Sequence, residues 1–399
     1  MSDDIASPNP EAELVSLRDS FMVFGVPAIG AEEFDEVAAT LNSGWLGTGP
    51  RVHRFEEAFR AYKGAAHAVG CNSCTAALHL SLMVSGLKPG DEVITTPMTF
   101  CATINAIIHA GATPVLVDVD PVTLNIDPTR VEAAITSRTR VLLPVHLAGL
   151  PCRMDLLTDI ARRHGLKLIE DCAHAIETEF AGKKAGTFGD FGCFSFYVSK
   201  NITTGEGGMV LVRAPEDEKR VRCLSLHGLS RDAWNRFGRE GYRHYQVEEA
   251  GFKYNMMDLQ AAMGIHQLAR VESNWERRRV IWQRYQQAFA DLPVRRPVEA
   301  PEGSRHGYHL YAVRIDPEAT GWQRDQLLAR MIQQKIGTGV HYVSIPDHPY
   351  YQRTFGWSPD DWPVARDAGR TTLTLPLSPA MSDADVEQVI LAFRRALRH

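Results

Sequence analysis

The segment CFSFYVSKNITTGEGGMVLV, residues 193–212, decides the fold. Two apolar runs rich in strand-forming residues, CFSFY and MVLV, enclose a polar turn that carries Lys200 and three glycines. A lysine that follows a buried strand is poorly solvated, which lowers its pKa and makes the neutral amine available as nucleophile and base. Most lysines are simply exposed, but few lie between FSFY and a run with three glycines. GxxxxGKS, GxxxxGKT and GxGxxG are absent, which disfavours an NTPase and a Rossmann dehydrogenase.

The same alternation extends outward from this segment over residues 65–212. Helical periodicity fills several gaps, clearly at 75–86 and 154–165, and each of these segments ends at a glycine suited to a left-handed C-cap. The strand-like runs are AHAVG (66–70), EVITT (92–96), TPVLVDV (113–119), VLLPVH (141–146), KLIED (167–171), CFSFY (193–197) and MVLV (209–212). Strands alternating with helices predict an α/β fold, with a large, mainly parallel sheet covered by helices on both faces.

The length of 399 residues corresponds to two or three domains at about 150 residues each. The polar, acidic and proline-interrupted start predicts a flexible tail over residues 1–20, followed by the large domain over 21–260. A long helical pattern runs from Asp258 to about Asp291, after which prolines interrupt the chain. Residues 261–399 are therefore predicted to form this linking helix and a smaller C-terminal α+β domain, with a final helix from Asp383.

Charge and cysteine content exclude several classes of protein. Lys plus Arg number 43 against 48 Asp plus Glu, so there is no basic excess for a nucleic-acid partner. No apolar run approaches the roughly 20 residues of a membrane span, and no secretory signal begins the chain, which predicts a cytoplasmic protein without membrane contact. Seven scattered cysteines are typical of reduced thiols. Cys71 and Cys74 form a CxxC without a second such pair, so we predict no metal site.

Two further segments carry chemistry beside Lys200. Residues 72–77, NSCTAA, follow a strand and open a helix, so free backbone N–H groups at Thr75 and Ala76 suit an anion. Asp171 ends the strand KLIED at the edge where open α/β sheets bind ligands, and His174 follows it. Each has a plainer alternative: a helix cap, an ion-paired carboxylate and a core histidine. Together with Lys200 they suit pyridoxal phosphate (PLP), with Phe100, otherwise a core residue, stacked on its ring.

These motifs resemble the DegT/DnrJ/EryC1/StrS family of nucleotide-sugar aminotransferases, which have the aspartate-aminotransferase fold (fold type I of the PLP-dependent transferases). The resemblance covers nearly the whole chain after the acidic tail. It is carried by WLGTGP (45–50), NSCTAALH (72–79), DEVITTPMTFCATINAI (91–107), EDCAHA (170–175), FSFYVSKNITTGEGG (194–208) and GFKYNMMDLQAAMG (251–264). Six segments in the family's order make a specific signal.

The resemblance implies a role for each matching residue. Lys200 would be the Schiff-base lysine, Asp171 the partner of the pyridine nitrogen, and His174 a neighbour of the ring oxygen. Phe100 would stack on the ring. The residues implied to bind the phosphate are Thr75, Ala76 and Ser195, with Asn255 reaching it from the neighbouring subunit of a homodimer with composite active sites. Asn255 alone would more often cap the helix that follows it.

The implied reaction is transfer of the amino group of L-glutamate to a keto group of a nucleotide-linked keto-deoxy sugar (dTDP- or UDP-linked), with carbon 4 favoured over carbon 3. Trp45, His341 and Tyr342 resemble positions that line the sugar pocket. Arg231 belongs to an arginine-rich stretch, residues 227–246, that suits either solvent or a nucleotide diphosphate. A non-nucleotide keto sugar or cyclitol as acceptor, or a noncatalytic regulator, stay open as alternatives.

Overall fold

A large mixed sheet forms the centre of the molecule. The computed structural model describes residues 18–230 and 246–398. Its strands are β1 His67–Cys71, β2 Glu92–Thr95, β3 Thr113–Leu116, β4 Thr139–Leu142, β5 Lys167–Asp171, β6 Glu179–Phe180, β7 Lys183–Lys184, β8 Phe191–Ser195, β9 Gly208–Val212, β10 Val294–Arg295, β11 Tyr311–Ile315 and β12 Thr372–Leu375. Seven of them form one sheet in the order β1-β9-β8-β5-β4-β2-β3. Only β9 runs against its neighbours, so the prediction of a mainly parallel sheet is confirmed.

Helices cover this sheet because its strands are apolar on both faces. Every residue of β2, β8 and β9 is buried, the pattern expected of a sheet packed on both sides. The helices are α1 Ala31–Ser43, α2 Pro50–Lys63, α3 Cys74–Val84, α4 Cys101–His109, α5 Pro128–Val131, α6 Met154–His164, α7 Pro215–Ser225, α8 Asp258–Ala269, α9 Val271–Ala288, α10 Pro317–Thr320, α11 Arg324–Gln333, α12 Pro349–Phe355, α13 Pro363–Thr371 and α14 Asp383–Ala396. As the sequence predicts, α6 ends at a left-handed glycine, Gly165 (φ 64°).

The helical pattern that begins at Asp258 is divided into two helices, where the sequence predicts one. The break lies at Arg270, whose guanidinium pairs with Glu33 of α1. The two helices belong to different cores: α8 packs beside Phe55 of α2, while α9 contributes to the C-terminal core. A Cβ at Gly264 of α8 would lie 2.7 Å from the Phe55 ring, so glycine permits this close approach.

A second core lies around the three-stranded antiparallel sheet β10-β11-β12. Its large buried side chains come from α9, β11, the connection between α10 and α11, and α14: Trp282, Tyr285, Tyr311, Trp322 and Phe393. Met22 also belongs to this core and pairs with Ile336. The first described residues therefore run along the C-terminal part of the chain. The boundaries at 20 and 260 stay predictions.

The carboxyl ends of the parallel strands meet at one edge of the large sheet, and the loops that follow them form the walls of a cavity. No helix in the described part of the chain is both long and apolar enough to cross a bilayer.

Candidate active site

A cavity of about 540 Å³ opens at this edge, between the large sheet and the C-terminal part of the chain. It brings together residues that are far apart in the sequence. Those predicted as site residues that line it are Thr75, Phe100, Asp171, His174, Ser195, Lys200, His341 and Tyr342. Polar groups from at least four different loops thus converge on one pocket, which is the usual arrangement of an α/β active site.

Lys200 lies in the turn that follows β8. The strand ends at Ser195, two residues earlier than predicted, and the Lys200 N–H donates to the carbonyl of Tyr197 at 2.9 Å. Burial lowers the pKa of the Lys200 amine to about 8, although the neighbouring Asp171 partly opposes this effect. The structure therefore supports a lysine with an accessible neutral form, as the sequence predicts.

Asp171 ends β5 and is 4% exposed. Its Oδ1 accepts the Ala173 N–H at 3.1 Å and its Oδ2 accepts the Thr103 hydroxyl at 2.8 Å. Burial raises the pKa of this carboxyl more than these two donors and Lys200 lower it. No described arginine or lysine forms an ion pair with it within 4.0 Å, so the ion-paired alternative does not apply. A buried carboxylate at a cavity wall suits a cationic donor from a ligand, because such a donor would stabilise its ionised form.

The turn before α3 supplies unpaired backbone donors. Ser73 is the N-cap, and its Oγ accepts the Ala76 N–H at 3.1 Å. The first turn of a helix leaves its N–H groups without intrahelical partners, so those of Cys74 and Thr75 are available for an anion. Gly208 lets this turn approach β9, because a Cβ there would lie 2.4 Å from the Ser73 carbonyl carbon. The Ala76 N–H is already occupied, and the phosphate role of Ala76 stays a prediction.

His174 joins the large sheet to the C-terminal part of the chain. Its Nδ1 accepts the Ala148 N–H at 3.2 Å, and its Nε2 lies 2.9 Å from the Tyr342 hydroxyl. Burial, together with the positive charge of Lys200, lowers the pKa of the His174 imidazole well below its ordinary value. A neutral ring that accepts at Nδ1 carries its proton at Nε2, so His174 donates to the Tyr342 oxygen. The Tyr342 hydrogen is then free to donate to a ligand.

Phe100 is the N-cap of α4 and is 57% exposed, so the core alternative is wrong for this residue. Its ring centroid lies 5.7 Å from that of Tyr342. Two aromatic rings therefore face the cavity from opposite parts of the chain. His341, beside them, donates to or accepts from Thr374 at 3.0 Å, and burial lowers the pKa of its imidazole to about 4.

Of the predicted site residues that the structure describes, three do not line this cavity: Trp45, Ala76 and Asn255. Trp45 is 51% exposed, and its Nε1 donates to the Thr48 carbonyl. Asn255 donates from Nδ2 to the Thr48 hydroxyl at 2.7 Å and does not cap α8, whose N-cap is Met257. Arg231, with most of the arginine-rich stretch, lies outside the described residues.

Sequence reasoning gave no role to His309, which lies just before β11 and lines the cavity. It also gave no signal for the buried network behind β5, where Glu170 accepts from His146 and from the N–H groups of Gly186, Phe188 and Gly189. His146, Glu170 and Cys172 lie close enough together to be considered as metal ligands. The four bonds to Glu170 already use the lone pairs of its two oxygens, so the role of this cluster is structural. Cys71 and Cys74 are free thiols, and burial raises the pKa of both.

The arrangement fits pyridoxal phosphate. Asp171 needs a cationic donor, which the protonated pyridine nitrogen provides. The N–H groups of Cys74 and Thr75, with Ser195 nearby, suit the phosphate. Lys200 has the lowered pKa of an amine that reacts with a carbonyl carbon.

Known proteins resemble this chain over almost its entire length. The model of the DegT/DnrJ/EryC1/StrS aminotransferase family matches residues 27–394. The spore coat polysaccharide biosynthesis protein SpsC of Bacillus subtilis is 47% identical over 382 residues, which are 96% of this chain and 98% of that protein.

Solved structures agree with this match. A putative sugar aminotransferase from Streptococcus pneumoniae, solved in its PMP form, superposes with a TM-score of 0.88 at 33% identity, covering 94% of this chain and 98% of that one. It has also been solved in a PLP form. Helicobacter pylori PseC, an aminotransferase involved in pseudoaminic acid biosynthesis, superposes with a TM-score of 0.86 at 26% identity, covering 95% and 99% of the two chains.

Proposed function

This chain belongs to the DegT/DnrJ/EryC1/StrS aminotransferase family and is a PLP-dependent sugar aminotransferase, and on that premise we propose that it transfers the amino group of L-glutamate to a nucleotide-linked keto sugar. We place the new amino group at carbon 4 of a keto-deoxy sugar linked to dTDP or UDP. The relatives named for spore coat polysaccharide and pseudoaminic acid biosynthesis support an amino sugar as product.

One observation carries the proposal: a single cavity contains a lysine with a lowered pKa, a buried carboxylate that forms no ion pair with a described arginine or lysine, and a helix N-terminus with free N–H groups. An aminotransferase needs these three elements to move a proton, to hold a protonated ring nitrogen and to hold a phosphate. When bound, PLP supplies an electron-withdrawing ring that stabilises negative charge on a substrate carbon after its proton leaves.

Lys200 is proposed as the base and acid of both half-reactions. As a neutral amine, its Nζ removes the proton from the Cα of L-glutamate, and a pKa of about 8 keeps a substantial fraction neutral near physiological pH. In the second half-reaction, Nζ gives a proton to the carbon at which the sugar receives its nitrogen. Asp171 holds the proton on the ring nitrogen throughout, because its carboxylate is buried and fixed by Thr103 and Ala173.

The aromatic and imidazole side chains are proposed to position the ring and the sugar. Phe100 would stack on the ring face, since its exposed side chain borders the cavity. His174 would lie against the ring oxygen and, through its Nε2 proton, orient the Tyr342 hydroxyl as a donor. His341 and Tyr342 would line the sugar side of the cavity. Trp45, outside the cavity of its own chain, is also proposed for a sugar pocket, and Arg231 is proposed to bind the nucleotide diphosphate.

We further propose a homodimer with composite active sites. Large apolar side chains stay exposed on loops and helix ends that include the cavity wall: Trp45, Leu46, Phe100, Tyr197 and Met257. An apolar surface of this kind is typical of a protein interface. Asn255 does not cap α8, and beside its bond to Thr48 its Nδ2 keeps one hydrogen for a partner's phosphate site. The backbone carbonyls of Lys253 and Tyr254, just before Asn255, accept from Asn72 in the turn that follows β1.

The experiment is a half-reaction with L-glutamate alone. Protein loaded with PLP should lose its visible absorption when L-glutamate is added and release one equivalent of 2-oxoglutarate per active site. The matched control is Lys200→Ala, which should bind the cofactor noncovalently and release none at a comparable rate. Release by the alanine variant at the wild-type rate would show that Lys200 is not the base.

A further inference from the structure

His309 is a buried histidine in the active-site cavity for which the reaction described above has no use. It lies just before β11, is 5% exposed and lines the cavity together with Lys200. Its ring centroid is 4.3 Å from that of His174. Its hydrogen bonds determine which of its two nitrogens carries a proton.

The proton position follows from Asn201, the residue after Lys200. The Asn201 Nδ2 donates to Glu177 Oε2 at 2.6 Å and to the Gly307 carbonyl at 2.9 Å, so both amide hydrogens are used. The Asn201 Oδ1 must then accept. It lies 2.9 Å from His309 Nδ1, which therefore carries a hydrogen and donates it.

The orientation of the Asn201 amide is fixed by a buried ion pair next to it. Glu177 and Arg278 form a salt bridge in which the two side chains are 0% and 2% exposed. The carboxylate can only accept, so the Asn201 amide cannot turn its oxygen toward Glu177. The chain of contacts from Arg278 through Glu177 and Asn201 thus holds the Nδ1 hydrogen of His309 in place.

His309 is consequently neutral, with a lone pair at Nε2. Burial and the positive charge of Lys200 hold the pKa of the His309 imidazole well below its ordinary value. Its Nε2 makes no hydrogen bond to a described residue. His174 has the opposite tautomer, so the cavity contains a hydrogen-bond donor at Tyr342 and an acceptor at His309.

The hydrogen-bond acceptor Nε2 of His309 distinguishes L-glutamate from the sugar, because only the sugar has hydroxyl hydrogens to donate. Both ends of L-glutamate are carboxylates, which offer lone pairs only and would be repelled by the lone pair of His309. A sugar offers hydroxyl hydrogens. Because His309 bonds to Asn201, the residue after the reacting Lys200, the hydroxyl proposed to lie within its reach is one near the carbon that reacts.

We propose that His309 is a specificity-determining residue, whose Nε2 accepts a hydrogen bond from the sugar hydroxyl beside the carbonyl carbon. This inference rests on the proposed function, since it requires a keto sugar as the amino acceptor. A substrate without that hydroxyl leaves the Nε2 acceptor unpaired in a buried site, which disfavours that substrate.

The test compares His309→Asn with the wild type in the two half-reactions. Asparagine can keep the bond to Asn201 through its amide, because that group occupies the place of Nδ1, and it removes Nε2. We expect an unchanged rate of 2-oxoglutarate release from L-glutamate. For the accepted keto sugar nucleotide we expect kcat/KM to fall about tenfold, mainly through KM. With the analogue that lacks the neighbouring hydroxyl, variant and wild type should be equal.

His309→Gln is the companion variant, since its amide oxygen reaches the place of Nε2 and should recover part of the sugar half-reaction. The wild type alone gives an independent measurement, with about tenfold lower kcat/KM for the analogue without the hydroxyl. Equal slowing of both half-reactions by His309→Asn, or wild-type indifference to the hydroxyl, would overturn the inference. A wild type that converts L-glutamate but accepts no keto sugar would instead overturn the proposed function, and the inference with it.

Discussion

Replacement of Asp171 by asparagine should weaken catalysis severely and leave the cofactor-free protein as stable as the wild type or more so. The Asp171 carboxylate is 4% exposed and forms no ion pair with a described residue. The charge of Lys200 acts on it from a longer distance and lowers its pKa less than burial raises it. Asparagine keeps the shape of the side chain. Its oxygen can accept the Ala173 N–H, and the Thr103 hydroxyl can rotate to accept from the new amide while it donates to Thr99.

The magnitude follows from the loss of a buried charge that faces a cationic ring nitrogen. Removing one partner of a buried ion pair costs about 3–5 kcal/mol, which corresponds to a decrease of about 10²–10⁴-fold in kcat if the pair is needed in the transition state. Stability changes in the other direction. Burial raises the pKa of Asp171 above its unfolded value, so the ionised carboxylate destabilises the cofactor-free protein once the pH exceeds that unfolded value.

The assay combines single-turnover kinetics with L-glutamate and thermal unfolding of the cofactor-free protein at pH 7. Cofactor affinity should fall only modestly, because the phosphate contacts at α3 are intact. An unchanged kcat in Asp171→Asn would refute the role of the charge. A large fall in the cofactor-free Tm would also contradict the reasoning, since it would mean that the carboxylate stabilises the empty site.

Three further outcomes are expected. Lys200→Met should raise the Tm of the cofactor-free protein at pH 7, because the buried ammonium of Lys200 is disfavoured. The increase in Tm should be full below about pH 8, the lowered pKa of the lysine, and should vanish as the pH rises toward 10.5. An increase in Tm that does not change with pH would contradict this expectation. If the active sites are composite, activity should return when inactive Lys200→Ala and Asn255→Ala homodimers are unfolded and reassociated together. The recovered activity should be at most about a quarter of wild type per protomer, because a mixed dimer has one intact site. No recovery despite proven subunit exchange would mean that Asn255 serves its own chain. Glu177→Gln should lower the free energy of unfolding by about 3–5 kcal/mol in denaturant titrations, because it leaves the Arg278 guanidinium buried without its counter-ion. A decrease below about 1 kcal/mol would show that the Glu177–Arg278 pair stabilises the protein no more than an exposed salt bridge does.

The large sheet could be predicted from sequence because its signals are local. The strand β5 and the helix α6 begin and end within one residue of their predicted positions, since a continuous apolar run and a glycine cap define them. Other strands end early. In VLLPVH the strand β4 stops at Leu142, before Pro144, which cannot donate to a neighbouring strand, and the remaining apolar residues pack as a buried loop instead.

The features that sequence could not supply depend on contacts between distant segments. The break at Arg270 arises because α8 and α9 pack into different cores, which periodicity alone does not reveal. The acceptor tautomer of His309 depends on Asn201, more than a hundred residues away in the chain. The exposure of Phe100 at the cavity wall depends on loops from distant parts of the chain, which an apolar residue in the sequence does not reveal.

The central claim is most directly tested by the product formed from L-glutamate and a panel of 3-keto and 4-keto sugar nucleotides, identified by mass and by NMR. We predict an amino sugar nucleotide with the nitrogen at carbon 4, formed with stoichiometric 2-oxoglutarate and absent with Lys200→Ala. Amination at carbon 3 would correct the regiochemistry alone. Amination only of a free keto sugar or cyclitol, or of none of these acceptors despite turnover of L-glutamate, would contradict the account.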